Sequence, residues 1–218
     1  MRARVLKRAD LPVDTVELAR FLIGKLVVRT LDEGRAAGRI VETEAYHEGD
    51  PAGHAYRGIT PRNRTLFSER GFAYVYLAYG VSYMLNVSSE VAGVGGGVLI
   101  RALEPTAGVA LMAGRRGTER LLDLARGPGR LCQALAIDRR LDGTDLCRTG
   151  PLWLAVDGHS AGEIGVSRRI GITRAADEPL RFYVRGSRFV SGTLALNGLS
   201  RPGAPTKRSA RRPKRPPR

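Results

Sequence analysis

The sequence predicts an α+β fold: a single mixed domain with a curved antiparallel β-sheet, flanking helices and a protruding β-hairpin. Three observations lead there. The chain has 218 residues, 43% apolar and 26% charged, which suits one domain with a core of its own. Strand-like runs show no regular βαβ alternation, so parallel crossovers are not expected. Residues Phe72–Ser88 read as two β-rich arms around Ala78-Tyr79-Gly80-Val81.

From the amino end, Leu11-Pro12-Val13 leads to Asp14, which can cap a helix, with Glu17 at the capping-box position. Val16, Leu18, Ala19, Leu22 and Ile23 give that helix an apolar stripe, and Gly24 ends it. Residues 25–30 read as a strand, 32–34 as a turn and 36–46 as a second strand. Residues 47–66 form a long loop rich in Gly, Pro, His and Arg, and a long ordered loop in a compact domain usually serves a function. In the hairpin, Tyr74 and Tyr76 share one face and Tyr79 stands at the tip. Gly95–Gly97 precede a strand at 98–105. Helical patterns follow at 106–113, 118–126 and 128–137, and late strands at 151–156, 163–167 and 180–185. The domain is expected to span residues 1–200. Residues 201–218 form a basic, Pro/Arg-rich tail with eight basic side chains, five prolines and no acid, expected to be disordered.

Charge narrows the function. Thirty-six basic residues against 21 acidic give +15; without the tail's eight, +7 remains, so the body is basic as well. A polyanion, nucleic acid first, is the expected partner. No stretch reaches the roughly 18 apolar residues of a membrane span. The amino end carries no apolar signal segment, so a cytoplasmic location is expected. Cys132 and Cys147 make no C-x-x-C pair, and His47, His54 and His159 are irregularly spaced, so no metal is expected.

Several side chains are candidates for chemistry. Glu42 and Glu44, two apart on a strand, leave one face about 6.5–7 Å apart, a spacing compatible with glycosidic cleavage. Taken alone, an E-x-E pattern reads as an exposed strand edge. Arg101 lies between apolar neighbours and must either pair with an acid such as Glu44 or Glu104 or face a cleft. Tyrosines 46, 56, 74, 76, 79 and 83 cluster among Arg57, Arg62 and Arg64, a pattern that suits either a core or base stacking beside a phosphate track. The RGPGR segment ending at Arg130 and the SRR segment at 167–169 are further phosphate candidates. The glycine triplet lacks a dinucleotide-binding context, and G-x-S-x-G and P-loop motifs are absent. No lysine lies in the loop–hairpin region, so a Schiff base is not expected and water is the expected nucleophile.

GRIVETEAY at 38–46, His54, TPRNR at 60–64, YVYLAYGVSYMLNVS at 74–88, VLIRALEP at 98–105, GPGRLCQALAI at 127–137 and PLRFYVRGS at 179–187 occur in that order. Together they closely resemble the alkyladenine (3-methyladenine, N-methylpurine) DNA glycosylase family over roughly residues 5–190. The resemblance implies a monofunctional enzyme, without metal or cofactor. It would flip alkylated or deaminated purines from duplex DNA and hydrolyse the N-glycosidic bond, leaving an abasic site for base excision repair. Glu44 matches the general base. Arg101 would orient the water, and Ile170 matches a position whose carbonyl also holds it. The flipped base would lie between Tyr76 and Tyr46 with His54, next to Asn86 and Leu99. Tyr79 matches the side chain that wedges into the duplex. Arg57, Arg62, Arg64 and Arg130 would meet the DNA backbone, and the protein would act as a monomer. The Tyr46–His54 spacing is shorter than in vertebrate members, and Val81 is smaller than its counterpart in some. In this scheme Glu42 has no required part.

Two other readings stand beside it. A non-catalytic nucleic-acid-binding module would use the same tyrosines and arginines, but a carboxylate aimed at the polyanion would repel it. A nucleoside hydrolase using Glu42 and Glu44 would need neither Tyr79 nor so basic a body.

Overall fold

A computed structural model describes residues 3–193 and 195–197. The expected tail at 201–218 and the domain boundary at 200 lie outside the described residues. Nine strands are present: β1 (Arg4–Val5), β2 (Leu26–Leu31), β3 (Gly34–Tyr46), β4 (Ala73–Ala78), β5 (Ser82–Ser88), β6 (Gly97–Ala107), β7 (Leu152–Val156), β8 (Ile164–Ser167) and β9 (Arg181–Val184). Four helices accompany them: α1 (Thr15–Leu22), α2 (Val109–Arg116), α3 (Leu121–Leu124) and α4 (Pro128–Ala134). All strand pairs are antiparallel, in the order β1-β7-β2-β3-β6-β5-β4, with β9 added to β3 and β8 to β9. The architecture is the curved antiparallel sheet of a single α+β domain.

The curvature has a local cause. Along β3–β6 the register shifts at Ala37/Gly38, Ile40/Glu42 and Glu42/Thr43, and such bulges bend and twist a strand pair. Beyond the bend, β3 exchanges its neighbour. Residues up to Arg39 pair with β2, whereas Glu42, Thr43 and Glu44 pair with β9. Those three residues therefore have a strand on each side. Thr43 turns to the helical side, where its hydroxyl donates to the Ala19 carbonyl of α1 at 2.9 Å. Asp14 caps α1 by accepting from the Glu17 amide at 2.8 Å, and the helix buries Leu18, Ala19 and Leu22. The core they join includes Ile40, Leu85, Ile100, Leu103, Met112 and Phe182.

The expected helix at 106–113 begins later. Pro105 and Ala107 still pair with β3, and the helix starts only after Gly108, whose φ of +66° turns the chain. The pattern at 118–126 shrinks to α3, and α4 ends before Ala136, which has a φ of +48°. The hairpin forms as expected, with Ala78 opposite Ser82. At its tip Tyr79 and Gly80 both have positive φ, 52° and 70°, and the Val81 amide donates to the Ala78 carbonyl at 3.0 Å. The glycine triplet permits close approach: a Cβ at Gly95 would sit 2.6 Å from the Phe67 ring, and one at Gly97 would sit 2.6 Å from Leu66. The long loop can therefore lie against the start of β6. Among the described residues no helix is long and apolar enough to cross a membrane.

Candidate active site

Strand register lines up the candidates. Glu44 on β3 faces Leu99 on β6, Leu99 faces Asn86 on β5, and Asn86 faces Tyr74 on β4. These four form one row across the sheet. Glu42, Glu44 and Tyr46 alternate onto the same face of β3, as a period of two requires. The face opens into a cavity of about 400 Å³ lined by Tyr46, His54, Tyr76, Asn86, Leu99, Arg101 and Ile170, with Tyr79 at its rim. Every expected pocket residue is thus gathered at one place, and Glu44 lies directly behind the wall they form. Tyr74 and Met84 also line it, although sequence reasoning had not assigned them.

Glu44 is wholly buried, and both its oxygens are engaged. Oε1 accepts from the Ile170 amide at 2.7 Å; Oε2 accepts from the Tyr46 hydroxyl at 2.9 Å and from Arg101 Nη1 at 3.1 Å. The contact from Ile170 is its N–H, held on the carboxylate itself. Burial pushes the Glu44 pKa above the ordinary range and the charge of Glu42 adds to this, while Arg101, the Ile170 amide and Tyr46 offset only part. Burial and the neighbouring Glu44 raise the Tyr46 hydroxyl far up, so it remains a donor.

Glu42 is a correction to the sequence reading. It is buried rather than at an exposed strand edge, because β9 and the chain after it cover that side. It accepts from Arg101 Nε at 3.0 Å, from Arg181 Nε at 2.7 Å, and from the Ser191 amide and hydroxyl at 2.7 and 2.9 Å. Burial opposes its charge, but Arg101, Arg181 and the Ser191 amide outweigh it and hold its pKa low. Two carboxyls on one strand are therefore driven in opposite directions, the mark of a pair with different tasks. Arg101 faces the cleft and pairs with acids at once; its acids are Glu42 and Glu44, not Glu104. Arg181, buried in an apolar strand as Arg101 is, escaped the sequence reading although the same signal marked it.

On the opposite wall, Tyr74 and Tyr76 stack with centroids 5.4 Å apart. His54 meets Tyr76 edge-on at 4.4 Å, and its Nδ1 lies 3.0 Å from the Tyr74 hydroxyl. Two stacking distances, about 7 Å, are needed to hold a base between two rings. The expected space between His54 and Tyr76 is therefore closed in this structure. Burial and then Arg62 lower the His54 pKa, so it is neutral at pH 7. The Tyr76 hydroxyl is pushed up to about 12, chiefly by burial.

The loop carrying His54 is ordered around Asn63. This buried side chain accepts from the Thr60 amide and donates to the carbonyls of His54 and Gly58, at 2.8 and 3.0 Å. The Asn of the PRNR segment is thus a strut, while Arg57, Arg62 and Arg64 around it are exposed and have no carboxylate partner among the described residues. Arg130 differs from expectation in lying 3.4 Å from Asp123. Arg169 departs further from its phosphate reading: it is buried, pairs with Asp50 and sits 4.6 Å over the Tyr46 ring. A cation with no exposed surface cannot meet DNA. It instead supports the aromatic wall.

Comparisons with known proteins agree with this geometry. The family model for methylpurine-DNA glycosylase matches residues 9–188. A protein of Mesorhizobium japonicum named "Putative 3-methyladenine DNA glycosylase" is 70% identical over 189 residues, 87% of this chain and 91% of its own length. Relatives of the same name in Paraburkholderia phytofirmans and Methanoculleus marisnigri are 52% and 51% identical. They cover 92% and 82% of this chain, and 94% of their own lengths in both cases.

Proposed function

The chain belongs to the methylpurine-DNA glycosylase family, hydrolases of N-glycosyl bonds, and from that premise we propose that it excises alkylated or deaminated purines from duplex DNA by base flipping and a Glu44-activated water. The carrying observation is Glu44: a fully buried carboxyl with a raised pKa, directly behind an aromatic cavity of purine-accepting size. The duplex must release the base, because its glycosidic carbon is unreachable inside the stack. Tyr79, 93% exposed at the hairpin tip and carrying a strained backbone, fills the gap.

The base enters by parting His54 from Tyr76, which breaks the His54–Tyr74 contact. It then stacks on Tyr76 with Tyr46 and His54 across from it, where cationic alkylpurines gain about 0.5–2 kcal/mol per ring. Asn86 meets the purine edge and disfavours the exocyclic amine of normal guanine. Glu44 accepts the water's proton as the sugar carbon is attacked, and its charge stabilises the oxocarbenium-like transition state. Arg101 and Ile170 hold the carboxylate, and Arg101 reaches toward the water and the target phosphate. Arg57, Arg62 and Arg64 track the backbone; Arg130 joins them by giving up Asp123.

The test is strand cleavage after hot alkali, with EDTA present, on duplexes carrying one hypoxanthine, one ethenoadenine or one methylated purine. Cleavage that needs the alkali step is the expected result, since it reports an abasic product. Tight DNA or RNA binding without cleavage of any substrate would favour the non-catalytic module instead.

A further inference from the structure

Glu42 is the buried carboxylate beside Glu44 for which the proposed reaction has no part. It touches no cavity surface, yet four donors converge on it from β6, from β9 and from the chain after β9. Stability alone is a poor account of this arrangement, because desolvating ions in a buried network roughly cancels their attraction. The geometry of Arg101 gives a better one. Its guanidinium is planar and rigid, so the Nε bond to Glu42 at 3.0 Å fixes where Nη1 points, and Nη1 meets Glu44 at 3.1 Å. Without Glu42, nothing in the structure prevents Arg101 from turning both arms onto Glu44 as a bidentate pair.

We propose that Glu42 is a positioning residue for excision: it holds Arg101 by Nε so that a single arm reaches Glu44, and Ser191 locks Glu42 in that role. The inference rests on Glu44 being the base. Ser191 lies past residue 188, where the family match ends, so the lock is read from this chain's own geometry. It is braced in turn, since Arg181 Nη2 donates to the Ser191 carbonyl at 3.0 Å and to Asn197 Oδ1 at 2.8 Å, while Nη1 reaches Ser167 Oγ at 2.8 Å.

The charged and titratable groups facing Glu44 are Glu42 and Tyr46 from β3 and Arg101 from β6; Arg181 on β9 reaches it only through Glu42. His54 titrates nearby but faces Tyr74 and Tyr76, so a change at Glu42 leaves it alone. Removing the Glu42 charge and freeing Arg101 both favour the Glu44 carboxylate, which makes it a weaker base.

Single-turnover excision of hypoxanthine from a duplex, measured across pH with the full chain, tests this. Glu42→Gln should move the acid limb to lower pH by about 1 unit. It should also lower the plateau rate by roughly 3- to 10-fold with lesion affinity kept. An acid limb that stays in place while the Tm falls would reduce Glu42 to a structural residue and overturn the proposal. Should Glu42→Gln fail to fold, Ser191→Ala decides, because it removes one hydrogen bond to the same carboxylate. A rate loss of roughly 3-fold at unchanged affinity is expected, and an unchanged rate overturns the proposal. Glu44→Gln run in parallel keeps the two failures apart: if it still excises, the base assignment falls, whatever Glu42 does.

Discussion

Glu44→Gln separates a chemical role from a structural one, and the structure sets the sizes. The substitution is isosteric, but the carboxylate accepts three donors: the Ile170 amide at 2.7 Å, the Tyr46 hydroxyl at 2.9 Å and Arg101 Nη1 at 3.1 Å. A glutamine has one acceptor oxygen. Turned toward Arg101, which cannot accept, it also serves Tyr46 and leaves its own NH2 against the Ile170 N–H. The unsatisfied amide costs about 1–3 kcal/mol. An opposing contribution follows from the raised pKa. Such an acid favours the folded state below its unfolded pKa and loses that contribution as pH rises through its folded value, so at neutral pH the charged side chain is a burden that glutamine removes. The net change should stay within about 2 kcal/mol, or a Tm shift under about 8 °C. Excision should fall by about 10²–10⁴-fold. Single-turnover excision and lesion-duplex binding on the same preparation read both quantities. The native enzyme should also lose activity as pH falls through a midpoint above 4.5, the ordinary value. Excision within about 10-fold of native, or lesion binding lost along with it, would refute the general-base argument.

Three further outcomes are expected. Tyr79→Gly should not lower the Tm, because a residue with φ of 52° and 93% exposure loses left-handed strain of about 1–2 kcal/mol and no packing; its lesion affinity should drop, and unchanged affinity in a binding titration would remove the wedge. Asn63→Ala leaves the His54 and Gly58 carbonyls unpaired, so thermal melts should show a loss of about 2–4 kcal/mol and lesion binding should weaken; a native melt would mean the loop does not depend on that strut. Deleting residues 201–218, with eight basic side chains, should flatten the plot of log affinity against log salt by up to about 0.9 per phosphate released, and an unchanged slope would make the tail a bystander.

Local chemistry made much of this legible. Asp14 and Gly24 mark α1, and the alternation in residues 72–88 marks the hairpin down to its tip. A row such as Glu44–Leu99–Asn86–Tyr74 depends on pairing between strands far apart in sequence, so residue patterns name its members without placing them. Glu42 was misread for the same reason. Its strand is covered by β9 and by Ser191, 149 positions away, and nothing near Glu42 announces them. Arg169 read as a surface cation because its acid, Asp50, is 119 positions distant. The closure of His54 on Tyr76 is set by the fold of a loop whose period is neither 2 nor 3.6, and such loops carry no pattern that fixes a side-chain direction.

The lateness of Ser191 bears on how the protein comes into being. Synthesis delivers β3 early, and β6 can pair with it long before β9 exists. Until residues 181–191 emerge, Glu42 and Arg101 face each other without Arg181 or the Ser191 amide, and one side of β3 is an open edge. Closing that edge requires contacts across about 140 residues, which are slow to form because chain-closure entropy comes first. A nascent or truncated chain would thus hold a nearly complete sheet around an unfinished site. The enzyme acquires its chemistry in the last step of its folding, when the chain's end docks.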